Sequence, residues 1–403
     1  MNTGDNAWVL ASSALVLLMT PGLAMFYGGM TRSKNVLTTM MHSFFLMGLA
    51  SLIWMLWGFS FAFAPDVFLG LTGGLHYLGL VAVGRDLWGG TTIPTSTYVI
   101  FQCGFAVLTP ALISGAFAER MRFGAFIAFM AVWVTLVYCP ICHWVWAQDG
   151  WLAKLGALDF AGGTVVHINA GMTALACVLL VGERKGYGEQ AMLPHNLPIT
   201  LLGAGLLWIG WFGFNAGSAL KADQSASMAF LVTHLAAAAA SVSWLASEWM
   251  LRGRPTTLGF ASGAVAGLVS ITPAAGYVNP VSAVLIGLVA GSLCYFAVLA
   301  KGFLAYDDSL DVVGIHAVGG AWGALATGLF ATKAIGGVDG LLMGNAAQFF
   351  TQVVAVVATA AYSFLATGAI LLVLDTLMHV RAHEDEERRG MDVSMHGESA
   401  YNL

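Results

Sequence analysis

Two histidines in this chain occupy places where an ionisable ring is costly. His167 lies in the stretch Asp159-Phe-Ala-Gly-Gly-Thr-Val-Val-His167-Ile-Asn169-Ala-Gly171, and His316 lies in Asp311-Val-Val-Gly-Ile-His316-Ala-Val-Gly-Gly320. Each follows an aspartate, precedes a glycine by four residues and stands at the head of an apolar run. An ionisable ring in such surroundings is expensive and usually has a task. Taken singly, each reads equally well as a packing residue with a satisfied ring; their matching places favour a shared task. A third group, Cys139-Pro-Ile-Cys142-His143, has the spacing of a c-type haem attachment and, less well, of a redox dithiol. It ends an apolar run, contains a proline and has no second haem motif beside it. Packing is therefore the better reading, and a membrane haem or redox protein the weaker alternative. The sequence offers no catalytic triad, phosphate-binding loop or zinc cluster, so the expectation is a non-enzyme without metal or cofactor.

The elements that hold these rings have to be membrane spans. With 58% hydrophobic residues, 9% charged ones and a mean hydropathy of +0.80, the chain carries more apolar surface than one soluble core can bury. A net charge of −5 and the lack of a basic patch give no sign of nucleic-acid binding. Cys103, Cys139, Cys142, Cys177 and Cys294 are odd in number and lie in apolar runs, as small packing residues do. Eleven runs are long enough to cross a bilayer at about 20 residues each. They are 7–29, 38–63, 97–117, 123–145, 162–182, 197–215, 226–250, 257–275, 280–300, 311–332 and 348–378. The first has Asp5 and no basic residue ahead of it, and reads as a retained span rather than a signal peptide.

Lysine and arginine set the orientation. With the N-terminus outside, Arg32, Lys34, Arg120, Arg122, Arg184, Lys185, Arg252, Arg254, Lys301, Arg381, Arg388 and Arg389 fall on the cytoplasmic side. Only Arg85, Lys154, Lys221 and Lys333 fall outside. This bias predicts a cytoplasmic C-terminus, and a miscounted span would destroy it. Five crossings per unit make spans six to ten an inverted copy of spans one to five, with span eleven as a final long helix. The expected architecture is an all-α integral membrane protein with a transmembrane domain over 1–378 and a cytoplasmic tail over 379–403. His167 enters early in span five and His316 early in span ten, from opposite faces. Straight helices rising about 1.5 Å per residue through a core of about 30 Å would leave the rings far apart. Contact between them therefore predicts a deep recess on each side.

Several segments carry a closer likeness. Asp159 to His167 with Asn169, Trp208-Ile-Gly-Trp-Phe-Gly-Phe214-Asn-Ala-Gly-Ser218, Ala118-Glu-Arg-Met121 and the tail Met391-Asp-Val-Ser-Met-His-Gly-Glu-Ser-Ala-Tyr401 closely resemble the ammonium transporters of the Amt/Mep/Rh family. The resemblance runs the full length and is nearer to the bacterial or archaeal Amt branch than to the Rhesus branch. It implies eleven spans, a homotrimer in the cell membrane with one pore per subunit, and carriage of ammonium or ammonia, with methylammonium as an analogue. It also implies an outer recruitment site at Phe105, Trp146 and Ser218, a gate of stacked rings at Phe105 and Phe214, and a pore lined by His167 and His316. The outer site is chemically sensible, since a small cation is drawn to the faces of Trp and Phe and a hydroxyl accepts one of its hydrogen bonds. Read alone, Trp146 is an interfacial belt residue, and Phe101, Phe105, Trp208, Phe212 and Phe214 are helix packing. Asp159 resembles the family aspartate that braces the outer site. Accepting backbone hydrogen bonds suits it better than touching substrate, because a carboxylate on the path would trap the cation.

Stripping the water from an intact ammonium ion in an apolar tube is expensive, so the expected course is recognition as the ion, loss of a proton near the phenylalanines, and passage as ammonia. Neutral passage and electrogenic transport both satisfy these residues. The competing class is an ammonium sensor, which the resemblance would pair with an added signalling domain. In the tail, Glu384 to Arg389 reads as a solvated charge run. Met391, Asp392, His396, Gly397, Glu398 and Tyr401 resemble the regulatory tail of the family, where PII-type nitrogen signal proteins block the pore in bacteria.

Overall fold

The computed structural model describes residues 1–401, and within them ten helices are long and apolar enough to cross a bilayer while an eleventh apolar helix is shorter. Residues 402 and 403, the end of the tail segment, lie outside the described residues. Spans one to three are Thr3–Met30, Ser33–Phe63 and Thr95–Ile113. Span four runs through Phe123–Trp133, Val134–Tyr138 and Cys139–Trp146. Spans five to seven are Gly163–Val181, Leu197–Gly217 and Gln224–Arg252, span eight is Thr257–Ile271, and spans nine to eleven are Pro280–Phe303, Val313–Phe330 and Ala346–Met378. The chain is an all-α, multi-pass membrane protein.

Span eight differs from the expected 257–275. It stops at Ile271 because Pro273 has no N–H with which to continue the ladder. A helix of 15 residues rises only about 22 Å. It is tolerated because every residue from Ala261 to Ile271 is buried in protein rather than facing lipid. Beyond it the chain turns so that the Pro273 carbonyl accepts the Phe160 N–H at 3.2 Å.

The two halves carry the same devices, as an inverted repeat requires. Spans three and eight each approach their end with Thr-Pro, Thr109-Pro110 and Thr272-Pro273. In both, the threonine hydroxyl donates to the carbonyl one turn earlier at 2.7 Å, Phe105 in one case and Leu268 in the other. Spans five and ten both begin with a π-turn, Gly163–Ile168 and Val313–Val318. Each turn follows a residue in the left-handed region, Gly162 with φ 118° and Asp311 with φ 63°. The glycine four residues after each histidine is where the other helix comes closest. A Cβ on Gly171 would stand 2.1 Å from the Ala317 nitrogen, and one on Gly320 would stand 3.0 Å from the His167 Cβ. Small residues at such a crossing let backbones approach where lipid offers no hydrophobic drive.

One sequence pairing is corrected. The partner of Asp159 in the second half is Asp308 and not Asp311: Asp308 leads His316 by eight residues, as Asp159 leads His167. Its carboxylate accepts the Val313 N–H at 2.7 Å, as that of Asp159 accepts the Thr164 N–H at 2.8 Å. Asp311 takes the place of Gly162 and pairs with Lys301.

The charge run of the tail is exposed at Glu384, Asp385, Arg388 and Arg389, with one buried exception. Glu384–Arg389 forms a short helix, and Glu387, only 3% exposed, binds Arg381 at 2.7 Å. Lys34 donates to the carbonyls of Glu387 and Arg388 at 2.8 and 2.7 Å. The Asp392 carboxylate accepts the N–H groups of Leu37 and Thr38 at 3.0 and 2.8 Å. It thereby satisfies orphan donors in the first turn of span two. Met391 donates to Asn35 at 2.8 Å, His396 lies edge-on to Phe123, and the Tyr401 hydroxyl meets His195 at 2.9 Å. Gly397 closes its turn with φ 68°, and the Glu398 N–H reaches back to the Asp392 carbonyl.

Candidate functional site

Five rings follow one another from one recess toward the middle of the molecule. Trp146 meets Phe105 with centroids 5.5 Å apart and rings nearly perpendicular. Phe105 meets Phe214 at 4.5 Å, Phe214 lies over His167 at 6.0 Å, and His167 lies over His316 at 5.3 Å. Trp211 flanks His167 at 5.4 Å and ties its own indole N–H to Thr272 at 2.9 Å. Phe105, Phe214 and His167 are wholly buried. Ser218 stands one turn beyond Phe214 at the end of span six, where its hydroxyl donates to the Phe214 carbonyl at 2.9 Å. The oxygen keeps its lone pairs for accepting.

The two histidines face each other through Nδ1 atoms 3.3 Å apart. A hydrogen bond there requires opposite tautomers, one Nδ1 bearing a proton and the other a lone pair. The rings meet because spans five and ten each begin deep in the molecule, the π-turn of each packing against the glycine of the other, Gly163–Ile168 on Gly320 and Val313–Val318 on Gly171. Recesses make up the remaining depth. On the face that carries the N-terminus, a cavity of about 710 Å³ is walled by Phe63, Trp88, Tyr98, Trp146, Asp149 and Lys154. Beyond His316 a narrow apolar neck runs between Tyr27, Leu112, Val265, Leu310 and Ile315. A cavity of about 530 Å³ with Ser262 and Asp311 in its wall lies on the tail face.

Asp159 sits beside the path with its charge spent on backbone. Oδ1 accepts the N–H groups of Gly162 and Gly163 at 2.8 and 2.6 Å. Oδ2 accepts those of Thr164 and Val165 at 2.8 and 3.3 Å, and the Thr164 hydroxyl besides. These are the donors that open span five. The Asp159 carbonyl takes the Trp146 indole N–H at 3.0 Å, so one residue ties the outer tryptophan to the turn that carries His167. Gln352 of span eleven holds the preceding residue from both sides, accepting the Leu158 N–H at 2.7 Å and donating to its carbonyl at 2.8 Å. Sequence reasoning assigned nothing to Gln352, Trp211 or Asp308. A glutamine inside an apolar run was the one visible signal for the first.

The other candidates lie elsewhere. Cys139 and Cys142 are wholly buried thiols within span four. The His143 Nδ1–H donates to the Ala62 carbonyl at 2.9 Å, so this trio is packed with no open face for an attached group. The tail residues Met391 to Tyr401 sit on the opposite face from Trp146. There the loops between spans are knitted by a charge cluster: Arg32 binds Glu119 at 2.6 Å, Arg184 binds Asp307 at 2.8 Å, and Arg120 donates to the Asp307 carbonyl at 2.5 Å. Burial pushes the Glu119 carboxyl up, but Arg184 and Arg32 outweigh it and hold the group below its ordinary value. Burial and Arg184 act in the same opposed way on Asp307, again with a lowered result.

This geometry can be set beside known proteins. The profile of the Ammonium Transporter Family matches residues 7–401. The chain belongs to the ammonium transporter family. An ammonium transporter of Bacillus subtilis (strain 168) is 50% identical over 405 residues, covering 100% of this chain and 99% of that protein. The crystal structure of Candida albicans Mep2 superposes with a TM-score of 0.89 at 36% identity, covering 96% of this chain and 88% of that one. A structure described as a sensor Amt protein superposes with a TM-score of 0.91 at 32% identity, covering 98% of each chain. In this ammonium transporter family chain, the line of rings lies between cavities on both faces of the crossing of spans five and ten.

Proposed function

We propose that the chain moves ammonium across the cell membrane by passing it as ammonia along the ring series. The observation that carries this is the unbroken run of aromatic contacts from Trp146 through Phe105 and Phe214 to a pair of imidazoles 3.3 Å apart. The Trp146 recess is the outer face, where an ammonium ion rests against the faces of Trp146 and Phe105 and donates to Ser218. Forcing the bare ion past Phe105 and Phe214 would cost on the order of tens of kcal/mol in the idealised limit. The ion therefore gives up a proton to the outer recess, NH4+ becoming NH3 and H+. Ammonia slips between the rings and exchanges hydrogen bonds with His167 and His316, one ring donating while the other accepts. It takes up a proton again in the recess on the tail face. Asp159 acts as the brace of the outer site and not as a ligand, because its carboxylate is already filled by backbone donors.

The excess of lysine and arginine on the tail face makes it cytoplasmic. The unit working in the membrane is a homotrimer, and the tail from 379 onward is a regulatory surface for a PII-type signal protein. Native mass of the solubilised protein tests the first statement, and loss of binding on removal of residues 379–403 tests the second. The likeness to a sensor Amt favours one rival reading, a receptor that binds ammonium without moving it. Uptake of labelled methylammonium into proteoliposomes at controlled membrane potential separates the two. Saturable uptake supports transport, its response to potential reports whether charge crosses, and saturable binding without uptake supports the sensor.

A further inference from the structure

The histidine pair works only if both rings are held in register, and the two turns that carry them are held differently. In the π-turn of span five the His167 N–H reaches back five residues to Gly162 at 3.0 Å, and the Asn169 N–H goes to Thr164 and Val166 rather than to Val165. The Val165 carbonyl is thereby passed over by the residue that an α-helix would give it. The Asn169 side chain takes over the bond, Nδ2 donating to the Val165 oxygen at 3.1 Å. Since a carbonyl can only accept, the amide is fixed with Oδ1 pointing away, and there it accepts the Ser363 hydroxyl of span eleven at 2.8 Å. Both side chains are wholly buried. In span ten the place of Asn169 is taken by Val318, and the residue that follows that turn is tied to span eight, by the Ser270 hydroxyl on the Gly319 carbonyl at 2.9 Å.

We propose that Asn169 and Ser363 form a clamp that stabilises the π-turn and sets the rotation of His167 toward His316, so that both are positioning residues for the proposed passage. This rests on the reading of the histidine pair as the pore lining. The wide turn is what aims the ring: one residue more per turn rotates everything before it relative to a regular helix, and the bulge persists only while its skipped carbonyl is satisfied. At a separation of 3.3 Å the contact between the rings is already long for a hydrogen bond, so a small rotation of His167 breaks it. Because the second turn lacks this amide, loosening the clamp should disturb His167 and leave the backbone of span ten alone.

The test uses full-length Asn169→Asp, which keeps the acceptor for Ser363 and loses the donor to Val165, and Ser363→Ala, which removes only the outer tie. Methylammonium uptake is read in proteoliposomes, and the ring ¹⁵N resonances of His167 and His316 are read by solid-state NMR on the same preparations. The expected result is a loss of uptake of tenfold or more for Asn169→Asp and severalfold for Ser363→Ala, with the His167 Nδ1 resonance displaced in both. Unchanged histidine resonances overturn the proposal, whether uptake falls or holds. If Asn169→Asp fails to fold, the smaller Ser363→Ala change decides alone by the same criterion. The NMR readout is independent of flux, so a wild-type protein that binds without transporting would sink the transport reading and leave the clamp to be judged separately.

Discussion

Asp159 shows why a charged residue beside a line of aromatic rings can be structural. Its two oxygens take four backbone N–H groups and one hydroxyl, so little capacity is left for a passing cation. Hydrogen bonds to a charged acceptor are about twice as strong as neutral ones, and an orphaned buried donor costs about 1–3 kcal/mol. Asp159→Asn should therefore lower the stability of the solubilised protein by about 2–3 kcal/mol, seen as a fall of several degrees in its thermal midpoint, and lower uptake along with it. An unchanged midpoint would show that the carboxylate is free for another task. Of these residues, His167 and His316 were legible in sequence because an imidazole in an apolar run is conspicuous. Asp308 was passed over because Asp311 lies nearer to His316, and proximity in sequence is a poor guide to which carboxylate caps a helix that starts with a π-turn. Ser363 was hidden for another reason: it is an ordinary small polar residue 194 positions from the amide it holds.

The elements that matter most are spans five and ten, and the crossing depends on two glycines. Gly171→Ala would put a methyl 2.1 Å from the Ala317 nitrogen, which is backbone and cannot swing aside. Overpacking of this kind costs about 1–3 kcal/mol and separates the helices, so uptake should fall at least tenfold. Gly205→Ala in span six, where nothing lies within 4 Å, is the matched control and should transport normally. Equal uptake by both variants would contradict the close crossing. The spacing of each glycine from its histidine was plain in the sequence, but the approach it permits was not, because nothing local says which helix will arrive there. The number of spans was legible from hydropathy. The early end of span eight was missed although Pro273 marks it, since hydropathy gives a buried short helix and a full crossing the same apolar composition.

Across the whole molecule, the Trp146 face is built from aromatic rings and the tail face from ion pairs that bind loops far apart in sequence. Glu119 and Asp307 are held below their ordinary values, against burial, by Arg184, Arg32 and Arg120. Their contribution to stability is therefore complete above the unfolded carboxyl values of about 4 and disappears as the pH falls through the lower folded ones. Relative to Glu119→Gln, the thermal midpoint of the wild-type protein should therefore be higher at pH 7 and should lose more as the pH falls below about 4. A midpoint as pH-dependent in that variant as in the wild type would show that the cluster contributes nothing.

The histidine pair is, on our proposal, the place where ammonia crosses. Methylammonium uptake by wild-type, His167→Ala and His316→Ala proteoliposomes, each with the thermal midpoint checked for folding, tests it most directly. Folded variants that lose uptake, or admit ions the wild type refuses, are the predicted result. Wild-type uptake with wild-type selectivity in both would contradict it.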